Sequence, residues 1–256
     1  QIERSASQGS LFGPQAQELL IEVYSQYEGR VADAVTTADR LVTRYPDNDG
    51  FAFTVAELHK SPAVEDYGRA ADIYQRVADR RKSGDSLDAA ETYPRALLSL
   101  ADTRMGEWRV SDAIAVLTPA IDARLSRPAW ALPNLLLARA NYRALLDDPA
   151  AADDTRRVQG DPAMSQQKPR ADEQLKWMEG RRASGESAIF AALIPANRLT
   201  YEGKWDEARR LYEALAARYP NDSRIRYRQA YLDFASGNQD RAGPTVTALA
   251  DGGRPV

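Results

Sequence analysis

One stretch of the chain occurs twice, and this repetition constrains the fold more than any other feature of the sequence. Residues 27–49 read YEGRVADAVTTADRLVTRYPDND, and residues 201–223 read YEGKWDEARRLYEALAARYPNDS. The two segments align without a gap at an offset of 174 positions. A chain that repeats a segment of this length is built from copies of one supersecondary unit. The identical residues, in the numbering of the first copy, are Tyr27, Glu28, Gly29, Ala34, Leu41, Arg44, Tyr45 and Pro46.

Each copy has the pattern of two helices joined by a turn. In the later copy, Gly203 tolerates the left-handed conformation that ends one helix. Asp206 and Glu207 suit the first turn of the next helix, because carboxylates interact favourably with the positive end of its dipole. Apolar residues then recur every three or four positions up to Arg218, and Pro220 prevents the helix from continuing. The segment therefore predicts a helix, a turn and a second helix.

Breaks of the same kind between helices recur along the chain. A small residue follows each break, at Ala34, Ala70, Ala113, Ala150, Ala208 and Ala242, with intervals of 36, 43, 37, 58 and 34 residues. Two-helix units of about 34 residues are the sequence signature of a helical solenoid. The interval of 58 residues predicts a degenerate unit around residues 171–182. Five steps of about 35 residues then account for the offset between the two copies.

This pattern resembles the tetratricopeptide repeat (TPR). The last units carry its small, glycine, aromatic and proline positions as Ala196, Gly203, Trp205, Ala208, Tyr212 and Pro220, then Ala230, Gly237 and Ala242. The first unit carries Gly29, Ala34 and Pro46 but has Glu22 where the first helix usually has a small residue. The resemblance implies an all-α fold, a right-handed α-solenoid of antiparallel helix pairs with about six repeats.

The punctuation also predicts the organisation of the chain. We expect a flexible lead-in over residues 1–14, which are polar, and a helical repeat domain over residues 15–256. The chain begins at Gln1 without an initiator Met, which predicts a processed protein or one trimmed of an upstream segment such as a signal peptide. The predicted units lie near residues 15–48, 50–82, 88–126, 129–160, 168–186 (degenerate), 188–221 and 223–252.

Composition argues against several classes of function. The net charge is −3, and basic residues alternate with acidic ones, so no basic surface for nucleic acid is expected. The sequence has no run of about 18 apolar residues that could span a membrane. It has no Cys and a single His, which leaves no thiolate metal site, Cys nucleophile, HExxH zinc site or His-based triad. We predict no catalytic residue, no metal and no cofactor.

Lack of Cys favours a bacterial periplasmic or envelope location over the cytoplasm.

Several conspicuous residues are interpreted as structural. His59 could face a groove, but a single His makes a poor metal centre. The neighbouring acids Asp147–Asp148 and Asp153–Asp154 diverge by about 100° on a helix, so we expect them to cap and solvate helix starts. Asn221-Asp222-Ser223 matches a glycosylation sequon and is better explained by turn and capping chemistry. Packing anchors, rather than base-stacking platforms, are expected at Trp108, Trp130, Trp177 and Trp205.

Candidate partner-binding residues lie on the first helix of each pair, at positions that the apolar stripe does not need. The resemblance implies that these helices line the concave surface of the stack. Tyr, Arg and Asn suit peptide capture, because rigid aromatic rings give contact area and polar groups hold a peptide backbone. The alternative is that the tyrosines pack and the charges are solvated. The predicted groove residues are Leu19, Val23, Gln26, Tyr27, Arg95, Asp102, Arg139, Tyr142, Arg143, Phe190, Asn197, Tyr201, Arg224, Tyr227 and Tyr231.

Three functions are compatible with this reading. The first is a non-enzymatic protein–protein interaction scaffold that binds a peptide, a helix or a partner subunit in the groove of the solenoid. The second is the C-terminal helical-repeat half of a larger enzyme or receptor, whose catalytic or sensory part lies upstream of residue 1. The third is an all-helical enzyme that uses carboxylates alone, for which the spacing places no carboxylate pair. The sequence favours the first, with a protein or peptide as the partner.

Overall fold

A computed structural model of the protein describes residues 13–84 and 86–251, and within these ranges the regular elements are all helical. A five-residue π-helix, Val23–Tyr27, directly follows the first α-helix, and a short 3₁₀ helix, Pro162–Gln167, directly precedes the α-helix that begins at Lys168. Residues 1–12 of the predicted lead-in lie outside the described residues, whereas Gly13 and Pro14 belong to α1. The α-helices are α1 (Gly13–Glu22), α2 (Val31–Arg44), α3 (Asp49–Lys60), α4 (Tyr67–Arg81), α5 (Leu87–Gly106), α6 (Val110–Asp122), α7 (Ala131–Leu145), α8 (Ala151–Gly160), α9 (Lys168–Ala183), α10 (Glu186–Tyr201), α11 (Trp205–Arg218), α12 (Ser223–Ala235) and α13 (Gln239–Asp251).

The predicted all-α, TPR-like solenoid fold is confirmed in these residues. Helices that follow one another in the chain pack against one another, from α1 to α5 and again from α8 to α13, and α10 also contacts α12. Each helix therefore covers the apolar face of a neighbour, as expected of a repeat fold. The degenerate region holds one long helix, α9, where the better-formed units hold a pair.

The chain divides into two compact units. Unit 1 comprises Gln1–Gly106 and Ala115–Leu135, and unit 2 comprises Glu107–Ile114 and Leu136–Val256. The three divisions fall at the end of α5, within α6 and within α7. The two copies of the repeated segment therefore belong to different units.

In unit 1, small side chains let the helices approach closely. On α2, Ala34, Ala38 and Leu41 lie on one face at helical spacing, and all three have no exposed surface. On α4, Ile73 and Tyr74 fill the space between α3 and α5 and are also fully buried. The alternation of small and large residues gives this unit a dense core.

Unit 2 combines an apolar core with a buried polar network. Leu193, Tyr212 and Ile225 come from three successive helices and form one cluster. The Tyr212 hydroxyl donates a hydrogen bond of 2.6 Å to Oδ1 of Asn197, which is 3% exposed. Burial raises the pKa of Tyr212. Asn197 was a predicted groove residue, but its side chain lies in this core, where buried polar groups must find partners.

Two turn features recur at the 174-residue offset, as the sequence predicts. Gly29 and Gly203 both have the left-handed backbone, with φ of 65° and 71°. Asn48 caps α3 by accepting a 3.0 Å hydrogen bond from the Phe51 N–H. Its counterpart Asp222 caps α12 by accepting a 2.9 Å hydrogen bond from the Arg224 N–H. The capping role predicted for Asp222 is therefore confirmed.

Removal of the Asp222 cap is expected to lower the free energy of unfolding by about 1 kcal/mol in Asp222→Ala at neutral pH, because helix donors lose their partner. The hydrogen bond from the Arg224 side chain lowers the pKa of Asp222 below its ordinary value of 3.8. Its stabilisation is therefore complete above pH 3.8 and is lost as the pH falls through the depressed pKa. Thermal unfolding across this acid range tests the prediction.

Asp222→Asn is the matched control for this pH dependence. Its amide retains the cap, as Asn48 does in the first copy, but does not titrate. The difference in free energy of unfolding between the natural chain and Asp222→Ala should shrink in acid. The difference between Asp222→Asn and Asp222→Ala should not. An identical pH dependence of thermal unfolding for the three proteins would contradict the assignment of Asp222 as a titrating cap.

The expectation that Asp154 is a solvated helix-start residue is wrong. Its carboxylate is buried and accepts hydrogen bonds of 2.8 and 2.7 Å from Nε and Nη2 of Arg139. A third bond of 2.9 Å comes from Nη1 of Arg143. Asp148 behaves as predicted, since its Oδ1 accepts a 2.9 Å bond from the Ala150 N–H at the start of α8. Burial at Asp154 is tolerated because two guanidinium groups neutralise it.

His59 is buried in unit 1, at 3% exposure. Its Nε2 lies 3.6 Å from Oδ1 of Asp39, and its Nδ1 lies 3.7 Å from Oδ2 of Asp66. The imidazole thus lies between two carboxylates from the flanking elements, α2 and the start of α4. The single histidine therefore packs where α3 meets α2 and the start of α4.

Candidate functional site

A groove in unit 1 runs between α1 and α3 and is the candidate site. Its volume is about 930 Å³, within the range of ligand-binding clefts. Thr54 on α3 donates a 2.8 Å hydrogen bond to Oε1 of Glu18 on α1, which ties the two walls together. We call it the α1–α3 groove. Its lining residues are Gln15, Glu18, Leu19, Ile21, Glu22, Ser25, Gln26, Phe53, Thr54, Glu57, Leu58, Ser61, Pro62 and Ala63.

The groove has an apolar part and an acidic part. Leu19, Phe53 and Leu58 contribute apolar surface from both walls. Glu18, Glu22 and Glu57 contribute carboxylates, and the lining formed by the described residues contains no Lys or Arg. Apolar surface beside a few oriented polar groups is the usual composition of a binding cleft.

Glu57 belongs to a larger network that connects α3 with α4 and α5. The Tyr74 hydroxyl donates to its Oε1, and Lys60 Nζ lies 3.4 Å from the same oxygen. Lys60 also donates a 2.8 Å hydrogen bond to Oδ2 of Asp102, a predicted groove residue. Burial raises the pKa of Tyr74, and the bond to Glu57 raises it further. Burial alone would lower the pKa of Lys60, but the hydrogen bond and charge of Asp102, with the help of Glu57, outweigh it and raise that pKa.

A π-helix ends α1, whereas its counterpart in the second copy, α10, ends in a regular α-turn. Here the Glu28 N–H donates to the Val23 carbonyl, five residues earlier, at 3.0 Å. In the second copy, the Glu202 N–H donates to the Arg198 carbonyl, four residues earlier, at 2.9 Å. One extra residue in a turn rotates the preceding helix by about 100° relative to its counterpart.

Burial differs between α1 and its counterpart α10. Leu19 is 45% exposed, whereas Leu193, its counterpart in the second copy, is 3% exposed. Tyr24 is buried at 7% and is covered by the Arg30 guanidinium, 4.1 Å from its ring centroid. Its counterpart Arg198 is exposed. The buried face of α1 is therefore not that of α10, and Leu19 and Glu22 line the groove.

The predicted residues of unit 1 are distributed as follows. Leu19 and Gln26 line the α1–α3 groove. Val23 is half-buried, and Tyr27 is exposed at the end of the π-helix. Arg95 is exposed, 3.9 Å from Glu91 and 5.9 Å from the Trp130 ring. Their roles in binding a partner stay predictions.

Among the predicted residues of unit 2, three have interior side chains. Arg139 and Asn197 are held in the buried networks described above, and Tyr142 is 7% exposed. Arg143 is half-buried and contacts Asp154. The reason is geometric: these positions face neighbouring helices, and their polar groups find partners there.

The other predicted residues of unit 2 include exposed aromatic rings. Tyr227 and Tyr231 are each 45% exposed and lie one turn apart on α12. Tyr201, at the end of α10, is 41% exposed. Arg224 is engaged by its own cap, with Nη2 2.6 Å from Oδ2 of Asp222. Phe190 packs near Trp108, with ring centroids 6.2 Å apart, which agrees with the packing role predicted for that tryptophan.

Sequence reasoning missed the acidic residues of the groove and most of its α3 wall. Glu18, Glu22, Phe53 and Glu57 line the site but were not predicted. Glu22 carried the one available signal, since it replaces the small residue expected on the first helix. Phe53 and Glu57 lie one turn apart on α3, a face that helical periodicity could have identified.

Neither a metal-binding cluster nor a membrane-spanning helix occurs in the part of the chain that the structure describes. Residues 13–84 and 86–251 contain no cluster of three or more His, Asp or Glu side chains suited to a metal ion. None of the helices in these residues is long and apolar enough to cross a membrane.

Comparison with known proteins agrees with the repeat structure. The chain matches the tetratricopeptide repeat family at residues 16–48 and 190–222. These segments contain the helix pairs α1–α2 and α10–α11 and stand at the offset of the repeated sequence. The chain is therefore a TPR-like protein, and the resemblance noted from its sequence is confirmed.

One solved structure and the curated proteins complete the comparison. A crystal structure of a tetratricopeptide repeat protein from Parabacteroides merdae is 15% identical in sequence, with a TM-score of 0.41. The similarity covers 94% of this chain and 82% of that one. No curated protein matches the sequence.

Proposed function

We propose that the protein is a non-enzymatic interaction scaffold whose α1–α3 groove binds a peptide or helix of a partner protein. TPR repeats suggest a protein-interaction scaffold. The groove lies between α1 and α3, the first helices of the first two predicted repeats. The observation that carries the proposal is Leu19, an apolar side chain that is 45% exposed where its counterpart Leu193 is buried.

The π-helix supports this role physically. π-turns within α-helices are frequent at functional sites. Here the π-helix adjoins the groove, whose lining includes Leu19 and Glu22 of α1 and Ser25 and Gln26 of the π-helix itself. Exposed apolar surface gains free energy when a partner removes it from water, at about 25 cal/mol per Å².

The walls of the groove are suited to recognition rather than to chemistry. Both are helices held by buried contacts, so the groove is preformed and a partner does not have to order it. Phe53 supplies a rigid aromatic surface, and the side chains of Ser25 and Gln26 can hydrogen-bond a peptide backbone. The lining provides no nucleophile–base pair.

The experiment is selection of peptides from a random displayed library with the purified full chain, followed by affinity measurement with Leu19→Asp. We expect the variant to weaken binding of the selected peptides by about 30-fold or more, since it places a charge in an apolar contact. Leu211→Asp, which changes an exposed Leu of unit 2, is the matched control and should leave affinity unchanged. Equal loss in both variants, or selection of no peptide, would refute the proposal.

A further inference from the structure

The α1–α3 groove carries an excess of negative charge that its own unit does not neutralise. Glu18 and Glu22 lie one turn apart on α1, and like charges at this spacing destabilise a helix. Within the described residues, neither carboxylate has a Lys, Arg or His within ion-pair distance. The Glu18 carboxylate accepts a hydrogen bond from the Thr54 hydroxyl. The helix thus keeps an unfavourable pair on the face that lines the groove.

Several other acidic residues of unit 1 have basic partners. Arg30 lies 3.0 Å from Glu28 and 2.7 Å from Asp33. Asp49 receives Arg80 and Arg81, the latter at 2.5 Å. What distinguishes the groove is that Glu18 and Glu22 lie beside apolar surface, with Leu19 and Phe53 in the same lining.

Lys60 does not cancel the charge of the groove. It is shared between Asp102 at 2.8 Å and Glu57 at 3.4 Å, so one ammonium faces two carboxylates. Glu18, Glu22 and Glu57 line the groove, whereas Lys60 and Asp102 lie outside its lining. The site therefore has a net negative charge beside exposed Leu19 and half-buried Phe53.

From this combination we infer that the groove binds a cationic amphipathic segment of a partner protein, in which Lys or Arg flanks an apolar residue. This inference rests on the proposed function of the groove. Lys and Arg side chains have apolar stems that cover apolar surface while their charged ends remain near water or carboxylates. A guanidinium also pairs with a carboxylate through two parallel hydrogen bonds. An acidic segment would meet like charge and is disfavoured.

The test uses three synthetic peptides of equal length and the purified full chain. The first combines Lys with Leu, the second has Glu for each Lys, and the third has Ser for each Leu. We expect the Lys–Leu peptide to bind at least about tenfold more tightly than either of the others, with an affinity that falls as salt is added. The Ser peptide separates recognition of a segment from attraction of any polycation.

Two double variants locate the charge that is recognised. Glu18→Gln/Glu22→Gln removes the two groove carboxylates without changing side-chain shape, and should weaken the Lys–Leu peptide by about tenfold. Asp47→Asn/Asp72→Asn removes the same charge from exposed positions elsewhere in unit 1 and should change affinity by less than about twofold. Circular dichroism should show the same helix content in both.

The outcomes separate the two proposals. If the Lys and Glu peptides bind equally, and Leu19→Asp weakens both, the groove binds partners but its preference for cations is refuted. If the control variant weakens binding as much as the groove variant, the attraction is a long-range effect of net charge and the inference also fails. If no peptide binds and library selection also fails, the function itself is refuted.

Discussion

Asp154→Ala is expected to lower the free energy of unfolding by about 3–5 kcal/mol, because it removes a buried carboxylate that accepts two hydrogen bonds from buried Arg139. Arg139 is 6% exposed, and two of its nitrogens donate to the Asp154 carboxylate at 2.8 and 2.7 Å. Arg143 loses a 2.9 Å contact in the same variant but retains Asp148 at 3.7 Å. The measurement is urea unfolding followed by far-UV circular dichroism.

The adjacent acid provides the matched control. Asp153 is exposed and pairs with exposed Arg156 at 3.3 Å, and Asp153→Ala should cost less than about 1 kcal/mol. A double variant, Arg139→Met/Asp154→Leu, should recover much of the loss, since apolar replacements remove the buried charge as well as its partner. Equal urea midpoints for Asp153→Ala and Asp154→Ala would show that the Arg139–Asp154 pair does not support the fold.

Leu41→Ala is expected to lower the free energy of unfolding by about 3 kcal/mol. Leu41 has no exposed surface, and its removal leaves a cavity in the core of unit 1 that rigid helices do not close. Its counterpart Leu215, in the same position of the second copy, is only half-buried and packs at the edge of the unit 2 cluster. Leu215→Ala should therefore cost about 1 kcal/mol.

Comparison of the two variants isolates burial from chemistry, because both replace the same residue at the same repeat position. Urea unfolding by circular dichroism and by tyrosine fluorescence gives the free-energy loss and tests whether the probes agree. A larger loss of unfolding free energy in Leu215→Ala than in Leu41→Ala would contradict the burial of these two residues in the structure.

The residues that end and cap the helices of each repeat could be predicted from the sequence, because their roles depend on the local backbone. Gly29 and Gly203 are needed for a left-handed turn, and Asn48 and Asp222 are short polar residues suited to caps. Neither role depends on remote residues, so the same signals appear in both copies. These positions, with the spacing of small residues, were sufficient to establish the helix pairs.

Leu19 of α1 and Gln26 of the π-helix were predicted at the groove and line it, but the difference in burial between α1 and α10 could not be predicted. The two copies have equal lengths, so residue matching treats Leu19 and Leu193 alike, although Leu19 is 45% and Leu193 is 3% exposed. The structure also buries Tyr24 beneath Arg30, where the second copy has exposed Arg198. The choice is made by tertiary packing, and periodicity alone does not contain it.

The charge network of unit 2 was missed for a different reason. Charged residues are seldom buried unless they are paired, so Arg139 was assigned to a surface and Asp154 to a solvated cap. Their pairing joins α7 to α8 across 15 positions, and no sequence spacing identifies it. A buried ion pair becomes visible only when the helices are placed.

Hydrogen exchange of the full chain, measured with and without the most tightly binding peptide selected from the library, tests the central claim most directly. Backbone amides of α1 and α3 should exchange more slowly in the complex, because a ligand that binds only the native groove reduces its local opening. The account predicts protection concentrated in α1, the π-helix and α3. Protection confined to α2 and α4, or to unit 2, would contradict it.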